Sequence, residues 1–284
     1  VALTLTSRKE EHVAHDFDPG YGTEPFRELC ADYPDSKVYP SSDFRTEWGP
    51  VFHRGRLDGT ARLLILGQDP AQHETISRRI LVGEAGQRIQ GFLAKLGVDR
   101  SYVMINTFLY GVYGQQGGNR HKDDPAIAAY RNRWIDAIFA TSHIEAVVAL
   151  GTLAENAWQT WKRTPKGQAT SVAFVHVTHP TQPESFSRGD AAKHAAAIKA
   201  LLENWNAALS TLKPAIAHPD GAVPLKLYTS KFLPGDVVEI PEIDMPAGTP
   251  PWMRGLANWA TRTGTTPALK RATITVTVPA AFRP

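Results

Sequence analysis

A short apolar run that stops abruptly on polar residues constrains this chain more than any other stretch. Leu63, Leu64, Ile65 and Leu66 follow Arg62 and give way at once to Gly67, Gln68, Asp69, Pro70, Ala71, Gln72 and His73. Branched aliphatic residues in succession, without polar alternation, read as a strand buried on both faces, the kind found in the middle of a parallel sheet. Ligands of open α/β sheets gather beyond the carboxyl ends of the strands, so Gln68 and Asp69 stand where chemistry is expected.

The rest of the core repeats that unit. Ile89, Phe92, Leu93 and Leu96 recur at helical spacing and Gly97 follows as a C-terminal cap. A second strand over 101–105 ends on Asn106. Gly111, Gly114, Gly117 and Gly118 punctuate a long loop, 111–124, which carries Arg120, His121 and Lys122 and reads as functional or mobile. Asp124 and Pro125 open a helix whose inner face is Ile127, Tyr130, Trp134 and Ile138. A third strand over 146–150 ends at Gly151, and Thr152 and Glu155 have the spacing of a capping box. A fourth, 172–177, ends at Thr178, His179 and Pro180, after which Asp190 caps a helix that buries Ile198, Leu201, Leu202, Trp205 and Leu209.

Strand and helix thus alternate four times, which predicts a three-layer α/β/α fold around a central four-stranded parallel sheet with right-handed crossovers. In that arrangement Asp69, Asn106 and His179 share one edge of the sheet. Residues 1–22 mix charges with His12, His15, Asp16 and Asp18 and read as a loosely packed arm rather than a metal site; no metal-ligand spacing is present. The domain proper is expected over 23–212. Beyond Leu212 proline, glycine and threonine rise, and short β-prone pieces at 225–228, 237–240 and 273–278 leave open whether 213–284 is a β appendage or an extended segment wrapped over the core.

Composition excludes more than it assigns. With 42% hydrophobic and 21% charged residues the chain is of ordinary globular type. Cys30, the single cysteine, rules out an internal disulfide and any multi-thiolate centre, and is read as a small buried hydrophobe. A net charge of +3 permits a nucleic-acid partner without requiring one. No apolar run of membrane-spanning length and no leader pattern occurs, so a cytoplasmic protein that binds no membrane is expected.

Gly67-Gln68-Asp69-Pro70 after a buried strand, Asn106 after the second, and His179-Pro180-Thr181 after the fourth resemble the paired motifs of the uracil-DNA glycosylase superfamily, in order and spacing over residues 45–210. Residues 80–87 and 147–151 resemble its thermophile-type branch. The resemblance implies a monofunctional hydrolase that removes uracil from DNA, with no metal or cofactor, as a monomer in base excision repair. Asp69 and His179 would be catalytic, the first holding a water beneath the sugar and the second donating to the departing base as a neutral ring. Gln68, Ala71, Leu81 and Asn106 would bind the base, and Arg120, Lys122, Thr181, Ser185 and Arg188 the DNA. Each has a bland reading as a turn residue, cap or solvated charge; it is their convergence that carries the functional one.

Departures from the family pattern shape the expectation. Ala71 stands where the uracil-specific branch has a tyrosine that excludes bases with a C5 methyl, so a roomier pocket that accepts modified or damaged bases is expected. Leu81 aligns with the aromatic that stacks on the base, leaving Tyr113 or Phe52 as substitutes. Pro183 and Glu184 occupy the loop that carries the branch's wedging leucine, with Phe186 the nearest apolar alternative. The thermophile-type cluster of four cysteines cannot form here. Two rival readings are a non-catalytic module that binds uracil or abasic DNA, and a nucleoside or nucleotide N-glycosidase on the same fold.

Overall fold

A computed structural model describes residues 15–283 of the chain. Its centre is a sheet in the order β1-β3-β2-β4-β5, formed by β1 (His53–Gly55), β2 (Leu63–Gly67), β3 (Tyr102–Asn106), β4 (Ala146–Leu150) and β5 (Ala173–Val177). The strands β2 to β5 are mutually parallel and are those expected from the apolar runs. The fifth, β1, pairs antiparallel with β3 at one edge, His53 opposite Ile105. Its three residues are too few to display a period, and two of them, His53 and Arg54, are polar yet buried.

Successive residues of a strand face opposite ways, and both faces here are covered. Leu63, Ile65, Tyr102, Met104, Val148 and Leu150 meet Ile89, Phe92, Leu93 and Leu96 together with Ile198, Leu201, Leu202 and Trp205. Leu64, Leu66, Val103, Ile105, Val147 and Ala149 meet Ile127, Tyr130, Trp134 and Ile138 with Trp158 and Trp161. Each fully buried aliphatic contributes about 1.5–3 kcal/mol. The result is the three-layer α/β/α fold. Its helices are α1 (Phe26–Ala31), α2 (Gln72–Ser77), α3 (Glu84–Leu96), α4 (Gln115–His121), α5 (Pro125–Thr141), α6 (Thr152–Lys162), α7 (Pro165–Ala169), α8 (Gln182–Ser187) and α9 (Ala191–Leu212).

Local signals set most helix ends. Gly97, at φ 80°, closes α3 by donating to the carbonyls of Leu93 and Ala94. Asp124 accepts from the N–H groups of Ala126 and Ile127, and Asp190 from those of Ala192 and Lys193. Two expectations change. The loop 111–124 contains α4, where Gly117 and Gly118 let the helix approach closely: a Cβ on Gly117 would collide with Val112, and one on Gly118 would be tight against Leu153 and Phe108. The capping box at Thr152 and Glu155 is not formed: Gly151 is the N-cap of α6, and the Glu155 carboxylate lies 3.3 Å from His176 Nδ1 instead.

Of the N-terminal stretch, His12 and its neighbours lie outside the described residues. Asp18 is buried; it pairs with Arg79 at 3.0 Å and His53 at 3.4 Å.

The chain beyond Leu212 runs as a strap around the domain. The Asp220 carboxylate accepts from the N–H groups of Asp99, Arg100 and Ser101, at 2.8, 2.8 and 2.9 Å. Asp236 pairs with Lys95 at 2.7 Å. Asp244, fully buried, takes Arg54 at 2.8 Å and also pairs with Arg56. The strap then forms α10 (Trp252–Gly255), β6 (Ala260–Arg262), α11 (Pro267–Ala272) and β7 (Ile274–Val276), with β6 and β7 antiparallel to each other. Of the three β-prone pieces only the last contains a strand. At the first, the Asn206 side chain takes the place of a neighbouring strand, accepting from Tyr228 N at 2.8 Å and donating to Tyr228 O at 2.9 Å. Among the described residues no helix is long and apolar enough to cross a membrane.

Candidate functional site

The strand order lays the polar strand ends side by side. Gly67 is in register with Asn106, Gly151 N donates to Val177 O at 2.8 Å, and β2 lies between β3 and β4 with β5 beyond. Loop bonds tie the row together: Thr107 N donates to Gly67 O and Phe108 N to Gln68 O, both at 2.9 Å. Glycine is needed at two points. A Cβ on Gly67 would collide with Asn106 Oδ1, and one on Gly151, at φ 84°, with Gln68 Nε2, close to His179 Cβ as well. Asn106 and Leu81 therefore close on Gly67 from one side, while Gln68, Gly151 and His179 crowd together on the other.

Asp69 Oδ2 accepts from Val112 N at 2.9 Å. Burial pushes its carboxyl up to about 6, against the pull of that N–H and of Arg262 and Arg45. It is ionised at neutral pH but poorly solvated, the state in which a carboxylate interacts most strongly with a developing positive centre. Glu74 lies beside it, buried, with Oε2 accepting from Ala71 N at 3.0 Å. Burial takes Glu74 to about 7, with Asp69 adding to the rise.

His179 is pushed down to about 4 by burial, although Glu184 acts in the opposite sense, so the ring is neutral at pH 7. Thr181 N donates to its Nδ1 at 3.4 Å, with the Thr181 hydroxyl 3.3 Å from the same nitrogen. An acceptor Nδ1 assigns the ring proton to Nε2, leaving that N–H to donate. The segment after His179 is fastened by Arg88, which donates to Pro180 O at 2.6 Å and holds Glu184 at 2.8 Å.

Asn106 is buried at the end of β3. Leu81, also buried, adopts φ 51°, an unusual backbone for a branched side chain; its Cδ1 is among the atoms facing Gly67. Ala71 is exposed at the start of α2. Neither substitute for the stacking ring is free. The guanidiniums of Arg45 and Arg271 lie 4.5 and 4.6 Å from the Tyr113 ring, and Phe52 stacks on Trp134 at 5.8 Å.

The residues expected to meet DNA are dispersed. Thr181 sits against His179, and Ser185 and Arg188 are exposed on and just after α8, with Phe186 between them at 60% exposure. Arg120 is ion-paired to Asp43, and Lys122, exposed, lies beside a cleft lined by Asn119, Thr152, Glu155 and Asn156. Glu74, Arg45 and Arg262 escaped the sequence reading. Glu74 had a signal, since it occupies the third helical position after Ala71, where glutamate commonly reaches back to the N-cap; the two arginines had none.

A family model described as the Uracil DNA glycosylase superfamily matches residues 54–186. No match is found among curated proteins. The matched segment contains Asp69, Asn106 and His179; Arg45 and the strap lie outside it.

Proposed function

From the membership of this chain, through residues 54–186, in the uracil-DNA glycosylase superfamily, we propose that it hydrolyses the N-glycosidic bond of deoxyuridine in DNA and leaves an abasic site for base excision repair. The single observation that carries the reading is geometric: the strand order brings the Asp69, Asn106 and His179 ends of β2, β3 and β5 to one edge of the sheet, with Asp69 Oδ2 held by Val112 N and His179 Nδ1 accepting from Thr181 N.

The bond between C1′ and the base nitrogen breaks with its electron pair leaving on the base. Asp69 stabilises the positive charge that grows on the sugar and orients the water whose oxygen adds to C1′; the proton that water releases passes to the Asp69 carboxylate and then, through solvent, to the uracil anion. His179 donates to the uracil oxygen that gathers negative charge, without transferring its proton. Asn106, able to donate and accept, reads the N3 and O4 edge and rejects cytosine, whose exocyclic amine reverses one donor. The nucleotide turns out of the stack to reach these groups. The exposed Ala71 supports acceptance of C5-substituted bases as well.

The test is a labelled oligonucleotide carrying one uracil, incubated with the chain and then treated with alkali. Strand scission at that position, lost in Asp69→Asn, is the expected result. No scission in either single or double strands overturns the reading. Release of uracil from the free nucleotide at a rate equal to that from DNA would favour a nucleotide N-glycosidase instead.

A further inference from the structure

The strap brings guanidinium groups to the site from outside the matched segment. β6 docks on α2, with Ala260 O accepting from Gln72 Nε2 at 3.3 Å and Ala260 N donating to His73 Nε2 at 3.2 Å. Trp259 packs edge-on against the His73 ring, with centroids 4.9 Å apart. Two residues after Ala260, Arg262 is exposed opposite Ile274 of β7. Arg45, buried, donates to Arg271 O at 2.8 Å and lies over Trp48 at 4.3 Å and Tyr113 at 4.5 Å. Arg271, exposed, also lies over the Tyr113 ring, 4.6 Å from its centroid.

These three arginines lie close enough for their charges to interact: besides burial, Arg262 and Arg271 lower the pKa of Arg45, and Arg262 and Arg45 act on Asp69. Among the described residues none of them is ion-paired to a carboxylate, and the nearby Glu47 is engaged by the Tyr113 hydroxyl at 2.6 Å. Guanidiniums crowded around Arg45 repel one another, and an anion with several oxygens offsets that cost. The aromatic stack fixes the guanidinium of Arg45 and supports that of Arg271 in advance. Tyr113 is the neighbour of Val112, whose N–H holds Asp69, so the cluster begins one residue from the reacting carboxylate.

We propose that Arg262 and Arg271, backed by Arg45, grip the DNA phosphodiester backbone beside the nucleotide whose base enters the Asp69, Asn106 and His179 site. The inference rests on the glycosylase reading and deepens it: the strand lies across the surface where the strap, through Arg271, meets the loop at Tyr113. Arginine suits the task because its planar fork takes two phosphate oxygens at once.

The experiment is a fluorescence-anisotropy titration of the full chain with a labelled single strand that lacks uracil, at a series of salt concentrations. Arg262→Gln and Arg271→Gln are each expected to lower the slope of log affinity against log salt by about 0.7, the share of one phosphate on a single strand. The double variant is expected to bind about tenfold more weakly. Lysine at both positions retains the slope while losing part of the affinity. The exposed Lys199 of α9, changed to Gln, gives the reference for loss of one surface charge. A slope and affinity in the arginine variants no different from that reference overturn the proposal. Binding is read without cleavage, so failure to release uracil with a normal slope change overturns the glycosylase reading alone. Uracil release with an unchanged slope overturns the phosphate grip alone.

Discussion

Asp69 carries two opposed demands, and pH separates them. Its ordinary value of 3.8 rises to about 6 in the folded chain. Between those values the folded protein holds a proton that the unfolded one has released, so stability falls as pH rises through the window. Asp69→Asn, with no proton to lose, is therefore expected to be more stable than the parent by about 1–3 kcal/mol near pH 8. The gain fades below about pH 4; calorimetric melting across pH measures it. On the proposed mechanism the same carboxylate acts in its ionised form, so kcat/KM for uracil release should fall about tenfold per unit below pH 6. His179, pushed down to about 4, stays neutral through the upper part of that range. Ala71→Tyr is a second residue-scale prediction: a ring at that exposed position should reduce activity on C5-substituted uracils at least about tenfold, while uracil in DNA is still removed; competition between the two substrates reads the ratio. Asp69, Asn106 and His179 were legible because each is the polar full stop of an apolar run. Arg45 and Arg262 were not, because they reach the site from a turn and from a segment without periodicity.

Elements were legible where local chemistry and global packing agree. Gly97, Asp124 and Asp190 end or begin helices as their types require. Thr152 illustrates the opposite case: its spacing to Glu155 fits a box, but the helix already begins at Thr152 with Gly151 as N-cap, and the Glu155 carboxylate turns to His176. The glycines of 111–124 were read as freedom, whereas Gly117 and Gly118 permit close contact and α4 forms. The short helix α8 combines both features. Arg88 anchors it through Glu184 and Pro180, and it presents Phe186 to solvent at 60% exposure. An apolar ring held out on a fastened helix, seven residues after His179, fits a wedge that enters a base step. Phe186→Ala is accordingly expected to slow excision from duplex DNA about tenfold more than from single strands, since only the duplex must be unstacked. Equal loss on both substrates would assign the ring to another task.

At the scale of the molecule, one buried carboxylate joins the strap to the sheet. Asp244 sits between Arg54, which is fully buried, and Arg56, with both in or beside β1. Removing it strands two cations in the interior. Asp244→Ala is expected to cost about 3–5 kcal/mol, read as a lower denaturant midpoint accompanied by a red shift of tryptophan emission as Trp252 and Trp259 loosen. The sequence indicated a change of character after Leu212 but not this course, because the strap is held by single side chains meeting backbone amides and distant charges, which leave no period to read. Its path bears on how the protein comes into being at the ribosome. Asp69, Asn106 and His179 emerge early enough to assemble while translation continues, but the residues that flank Asp69 from β6 emerge only some 80 positions after His179. A nascent chain therefore passes through an interval in which its reactive edge exists without its cationic rim, and competence to hold DNA arrives as a late event of synthesis.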